Sequence, residues 1–381
     1  MDRFDHNEYD AVREVLEQTD KTLSYYSFSY LGEGGQVYNF EKEFAKWQGR
    51  KYAVAVNSGT SALFVAIKAL MTPLSRQVAI PAYTFVADAE GVIQAGLNPS
   101  FADIDRNTWC MNEFNPNNSM FIPVHTLGNA VDCDVIKFWK NEVGANIIED
   151  CAQAVGTKWK NKRVGNFGDI AIYSFQGTKT ITTGEGGMLI MDSKDLYDKC
   201  CAIRNHGDYY RDTPYVGYNF RMSELPAAIG RCQLRKVEAF LESFKHNAKI
   251  IIDLLPNGIE PPFIMKEVTH GYFIIGCTWT LGKKRAVFLD SLQKARSDAG
   301  MLYSKNTPDI PGNNQPPGYS IGAGYRKPLY NIPIYETFKR ACQRAEKVID
   351  SAIWIDIHRW TEEDKIHKEM DIFNSVYRTV V

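Results

Sequence analysis

From residue 52 onward the chain alternates short apolar runs with helix-length amphipathic segments. Tyr52-Ala53-Val54-Ala55-Val56 reads as a buried strand, followed by the tight turn Asn57-Ser58-Gly59 and a helix whose apolar periodicity runs through Leu70. Strand-like and helix-like segments then follow at 77–81, 87–94, 99–104, 121–125, 134–141 and 145–149. The run Ile170-Ala171-Ile172-Tyr173-Ser174-Phe175 is apolar, β-branched and aromatic, and reads as another buried strand. Such alternation predicts a mostly parallel sheet with helices on both faces. The first forty residues read as a helix, then a loop containing Gly32-Glu33-Gly34-Gly35, with a further helix over 39–48. That loop lacks the spacing of a dinucleotide fingerprint and precedes no βαβ start.

A long helical pattern occupies 222–254, with Ser223 as its N-cap and Pro226 in its first turn. It would bridge a large unit over 1–255 to a smaller C-terminal α/β unit over 256–381. The smaller unit has a strand pattern at 277–281 and helix patterns at 284–296 and 335–349. Its last helix is expected at Thr361, with Asp364 three residues on as in a capping box. Residues 304–335 are rich in Pro, Gly and Asn and include Gly322-Ala323-Gly324-Tyr325-Arg326-Lys327-Pro328. An irregular stretch of that length inside a compact protein is expected to serve function, here as part of a substrate mouth.

Composition narrows the classes. Lys plus Arg total 44 against 45 for Asp plus Glu, so no net field favours nucleic acid or an anionic membrane. No apolar stretch approaches the ~18 residues of a membrane span, and the charged start Met1-Asp2-Arg3-Phe4-Asp5-His6 does not read as a secretory signal. Eight cysteines, Cys200 and Cys201 adjacent among them, form neither a secreted framework nor a zinc spacing and suit a reducing cytosol. Cys151 reads as a small buried thiol. The expectation is a soluble, cytoplasmic protein with no metal, no nucleic acid and no membrane.

Three segments carry candidate chemistry. Lys179 lies in Gln176-Gly177-Thr178-Lys179, just past the strand at 170–175 and before Thr183-Gly184-Glu185-Gly186-Gly187. A lysine amine is nucleophilic only when neutral, and burial at a strand end lowers its pKa toward that state. Glu149-Asp150-Cys151-Ala152-Gln153 delivers carboxylates where ligands bind in open α/β sheets. Asp150 suits the acid partner that the ring nitrogen of pyridoxal phosphate needs, with Gln153 within reach of the ring hydroxyl; it equally suits a helix N-cap. Gly59, Thr60 and Ser61 open a helix whose free amides make a phosphate site, although the same residues also form an ordinary capping sequence.

Together these segments resemble the sugar aminotransferases of the DegT/DnrJ/EryC1/StrS family, a branch of the fold-type I pyridoxal phosphate enzymes. The resemblance is densest between Gly32 and Leu234. It rests on Asn57-Ser58-Gly59-Thr60-Ser61-Ala62-Leu63, Pro81-Ala82-Tyr83-Thr84-Phe85-Val86-Ala87, Pro123-Val124-His125, Glu149 to Ala154, Ser174-Phe175 before Lys179, Thr183 to Gly187, and Gly217-Tyr218-Asn219-Phe220-Arg221-Met222. By this resemblance Lys179 would carry the cofactor covalently, Asp150 would pair with the pyridine nitrogen and Phe85 would stack on the ring. Ser174, Thr60 and Ser61 would hold the phosphate, and Asn219 would reach it from the partner subunit of a homodimer. Glutamate or glutamine is the implied amino donor. The implied acceptor is a nucleoside-diphosphate-linked keto sugar, most simply a 4-keto-6-deoxyhexose, with Arg221, Tyr325 and Arg326 as candidate substrate contacts. Other relatives aminate cyclitol ketones or form an aminobenzoate. A dehydratase reading is disfavoured, because such relatives carry His where this chain has Lys179, and a non-enzymatic regulator on the same fold is the remaining alternative.

Overall fold

The computed structural model describes residues 3–17, 35–113, 115, 118, 120–207, 215–299, 321–325, 327–356 and 362–381. Helices α1 (His6–Glu17) and α2 (Gln36–Gln48) precede strand β1 (Tyr52–Val56). Then come α3 (Gly59–Leu70), β2 (Gln77–Pro81), α4 (Ala87–Gln94), β3 (Asn98–Ala102), β4 (Met120–Phe121), α5 (Cys133–Asn141) and β5 (Asn146–Asp150). A small hairpin of β6 (Lys158–Trp159) and β7 (Lys162–Arg163) leads to β8 (Ile170–Ser174), β9 (Gly187–Met191), α6 (Lys194–Arg204) and the long α7 (Glu224–Asp253).

The central sheet has seven strands in the order β1-β9-β8-β5-β4-β2-β3. All pairings are parallel except those of β9, which is antiparallel to both β1 and β8. Side chains alternate across it, as a two-residue repeat requires. Ala53, Ala55, Ala171, Tyr173, Met188 and Ile190 join the apolar cluster under α2 and α7. Val54, Val56, Ile170, Ile172, Leu189 and Met191 join the cluster under α3, α4 and α6. Burial on both faces explains why these strands read as continuous apolar runs rather than alternating ones. The C-terminal ends of β1, β2, β5 and β8 share one edge of the sheet.

A second sheet, ordered β10-β12-β14-β13, is built from β10 (Ile259–Glu260), β12 (Ile275–Trp279), β13 (Ile321–Gly322) and β14 (Ala352–Ile355), while β11 (Val268–Thr269) pairs with β6. Helices α8 (Arg285–Asp298), α9 (Gln343–Ser351) and α10 (Glu363–Val380) complete the chain. Trp279 stacks on Phe288, and Phe373 meets Phe288 edge-on, so α8 and α10 lock onto β12 through aromatic contacts.

The alternating pattern and the mostly parallel sheet stand, with several boundaries corrected. The strand expected at 121–125 keeps only Met120–Phe121 in its ladder, followed by a single Val124–Asp150 bridge, because Pro123 has no N–H to donate. The segment read as 99–104 begins at Asn98 and ends at Ala102. The strand at 277–281 lies two residues earlier, where Ile275 pairs with Ile355, and Thr280 instead donates to Gly258 ahead of a left-handed Gly282. The helix expected over 335–349 is broken: Pro333–Phe338 form a 3-10 turn and α9 starts at Gln343. The Tyr330 hydroxyl accepts from the Cys342 amide and donates to Glu346, pinning that later start. Ser223 caps α7 by position only, since its side chain makes no cap bond. The last helix begins at Glu363 with Glu362 at its N-cap, and Thr361 lies outside the described residues. So do Gly32, Glu33 and Gly34, and residues 304–320 of the expected mouth.

Candidate active site

The shared strand edge brings the predicted residues together. At the end of β1, Ser58 takes extended angles and caps α3, its Oγ accepting from the Ser61 amide at 3.0 Å. The Ser61 hydroxyl donates to Asn57 Oδ1 at 2.7 Å, which turns Ser61 into the cap, while Gly59 and Thr60 stay partly open. A Cβ on Gly59 would lie 2.8 Å from Ser174 Cβ, so only glycine lets the α3 N-terminus close on the end of β8. Gly59 and Ser174 thus form one small-residue floor beneath a helix terminus, an arrangement suited to an anion.

Lys179 sits in the loop joining β8 to β9, whose ends are held in register as the pair Ser174 and Gly187. The side chain is half-buried, with Nζ 4.8 Å from the centre of the Phe273 ring, and Arg3 donates to the Lys179 carbonyl oxygen. Burial drives the amine down to about 8, against the opposing pull of Asp150 and Asp88. An amine of that kind is available as base or nucleophile near neutrality.

Asp150 ends β5, buried, with Oδ1 accepting from the Ala152 amide at 2.7 Å. It therefore begins a turn rather than capping a helix, which closes the alternative left open by its sequence context. Burial raises its carboxyl above the usual range, although the Ala152 amide and Lys179 oppose this. Gln153 bridges two segments: Oε1 accepts from the Leu127 amide at 2.9 Å, and Nε2 donates to the Tyr325 hydroxyl at 3.0 Å. Leu127 holds a left-handed conformation with φ of 56°, which aims that amide at Gln153. Tyr325 also meets Tyr83 and Trp354 edge-on, and burial pushes its hydroxyl well up.

The remaining candidates are scattered around this centre. Phe85 is 51% exposed, two residues before α4. Asn219 is exposed and bridges to Asn205, while Phe220 accepts from the Asn57 amide, so the 217–222 segment runs beside the α3 turn. Arg221 donates to Asn205 Oδ1 at 2.8 Å. Arg326 lies outside the described residues.

Sequence reasoning missed Asp88, Thr84, Phe273 and the support beneath Asp150. Thr84 and Asp88 are four residues apart at the head of α4, a spacing visible in the chain. Phe273 arrives from nearly a hundred residues away and left no such signal. Beneath the site, Glu149 accepts from the amides of Gly165, Phe167 and Gly168 and from His125 Nε2 at 3.1 Å. The Val131 amide donates to His125 Nδ1, which fixes the ring's proton on Nε2. Glu149, His125 and nearby Cys151 resemble a ligand set, but the histidine nitrogens and the carboxylate are already occupied by protein groups. All eight cysteines are buried free thiols.

The sequence profile of the DegT/DnrJ/EryC1/StrS aminotransferase family matches residues 14–374. The chain belongs to that family. A GDP-perosamine synthase of Vibrio cholerae is 37% identical over 317 residues, covering 80% of either chain. A second GDP-perosamine synthase, from Escherichia coli O157:H7, is 33% identical over 66% of this chain and 72% of its own. Among solved structures, an aminotransferase from Psychrobacter cryohalolentis superposes with a TM-score of 0.83 at 25% identity, covering 99% of this chain and 98% of that one. The protein is thus a pyridoxal-phosphate-dependent aminotransferase with the expected fold. Its own residues fit that cofactor: a half-buried lysine poised near neutrality, a buried carboxyl beside it, and a glycine-serine floor under a helix N-terminus. Among the described residues no helix is long and apolar enough to cross a membrane.

Proposed function

We propose that this aminotransferase moves an amino group from glutamate or glutamine to a keto sugar carried on a nucleoside diphosphate, most simply a 4-keto-6-deoxyhexose. The observation that carries the chemistry is Lys179, its amine lowered to about 8 by burial while two carboxyl groups face it. The acceptor class is supported by relatives named for a GDP-linked sugar and by one named a UDP-N-acetyl-3-dehydro-glucosamine 3-aminotransferase.

Lys179 would hold the cofactor covalently, Asp150 would face its ring nitrogen, Gln153 its ring hydroxyl and Phe85 its face. Gly59, Thr60, Ser61 and Ser174 would seat the phosphate, with Asn219 completing the seat from the partner subunit of a homodimer. When bound, pyridoxal phosphate supplies the electron sink through which an amine leaves one carbon and joins another. Lys179, once free, would move a proton between the substrate carbon and the cofactor's C4′ carbon in each half-reaction, a task matched to an amine poised near neutral pH. Arg221, Tyr325 and Arg326 are the proposed contacts to the substrate carboxylate and diphosphate.

Borohydride reduction of the loaded enzyme followed by peptide mass spectrometry should find the pyridoxyl group on Lys179, and a label on any other lysine overturns the assignment. Incubation with nucleoside-diphosphate keto sugars should consume glutamate or glutamine, and consumption only with cyclitol ketones would replace the acceptor.

A further inference from the structure

Asp88 sits in the first turn of α4, only 1% exposed. Its Oδ2 accepts from the Thr84 hydroxyl at 2.6 Å. Its Oδ1 is sealed from solvent and meets no N–H or O–H donor. The neighbour within hydrogen-bonding contact is another carboxyl, Asp150, whose own Oδ1 is held by the Ala152 amide. Two ionised carboxylates cannot share a buried contact, and an ionised Asp88 would leave an anionic oxygen without a donor. A proton on Asp88, shared toward Asp150, removes both penalties. The α4 N-terminus favours an anion, but this is a weaker effect than burial and like charge together.

We infer that Asp88 is a positioning residue, a neutral acid whose O–H is donated to Asp150, so that the pair presents one negative charge to the cofactor. The inference rests on the proposed role of Asp150 at the ring nitrogen. The groups acting on the pair are Thr84 beside it, Lys179 from the loop after β8, Tyr325 from beyond β13 and, behind Asp150 on the Glu149 side, His125. Burial and Asp150 both push the Asp88 acid well above its usual range, in keeping with a retained proton. Asp88 then keeps Asp150 anionic and aligned by donating to it, as a backbone amide would. It adds no second charge.

The test uses the full chain, as apoprotein titrated with pyridoxal phosphate and as holoenzyme titrated with acid and base. The readouts are cofactor dissociation constant and the pH midpoint of the bound cofactor's visible absorbance. Asp88→Asn, whose amide can donate to Asp150 and whose oxygen can accept from Thr84, should keep both within about twofold of the parent protein. Asp88→Ala should weaken cofactor binding about 10- to 100-fold, the range for a lost hydrogen bond to a charged group, and move the midpoint. A shift in Asp88→Asn comparable to that in Asp88→Ala would show that a charge on Asp88 matters and overturn the proposal, as would an unchanged Asp88→Ala. Should Asp88→Ala fail to fold, Asp88→Asn still decides, because an ionised Asp88 requires its midpoint to move. Asp150→Asn serves as the control: if it leaves both readouts untouched, the reading of Asp150 fails. If it disrupts them while Asp88→Ala does not, only the role of Asp88 falls.

Discussion

Glu149 and Asp150 are consecutive, both buried, and both at the end of β5, yet they are opposite kinds of carboxylate. Glu149 faces the α2 and α7 side, where three amides and His125 surround it. Burial alone would raise its pKa, but the bonds from His125, Gly168 and Gly165 outweigh burial and hold it below the usual range. Asp150 turns to the other face, where one amide meets it and a second carboxyl and Lys179 face it. Its pKa moves up instead. A carboxylate whose acceptor capacity is filled by the protein holds the fold together. One left partly unfilled is held ready for a ligand.

The comparison breaks most sharply at Asp150. Asp150→Asn should leave the melting temperature near that of the parent protein and lower turnover by several orders of magnitude, measured with saturating cofactor. Near-normal turnover in a folded, loaded variant would make the two carboxylates equivalent after all. Glu149→Ala should do the reverse, destabilising the chain by about 3–5 kcal/mol in urea unfolding, because it strands three buried amides and His125. The acid limb sharpens the contrast. A depressed carboxyl contributes stability above its unfolded pKa and loses it as pH falls through the folded value. The stability gap between the parent protein and Glu149→Ala should therefore narrow as pH drops below about 4.5, near the unfolded glutamate value. The smallest effect belongs to His125→Ala, which removes one of four donors and should cost about 1.5–3 kcal/mol with cofactor binding little altered.

How much of this was legible in the chain depends on the range of the interaction. Lys179, Asp150 and the Gly59 turn were readable because each follows an apolar strand directly, and strand ends are where α/β sheets bind ligands. A two-residue strand repeat puts Glu149 and Asp150 on opposite faces. Which of them would be filled could not be read, because the amides that fill Glu149 come from a loop 16 to 19 residues later. The same holds for Phe273 over Lys179, which depends on the chain beyond α7 folding back. The broken helix near 335–349 failed for a similar reason, since its start is fixed by the Tyr330 hydroxyl rather than by local propensity.

Strand β9 carries a consequence for the order in which the site is built. It lies between β1 and β8, pairing Tyr52 with Met191 and Ser174 with Gly187. A side chain at Gly187 would strike the Ser58 carbonyl at 2.3 Å, so β9 packs directly against the turn that opens α3. The Lys179 loop needs only a local return from β8, but the β1 edge waits for a strand that ends some 135 residues after it ends. During synthesis the helix terminus, its glycine floor and the lysine would exist separately until Met191 has emerged, and the insertion of one strand would then join them. Assembly of the proposed pocket is accordingly a late event in the life of the nascent chain, set by the order of the strands.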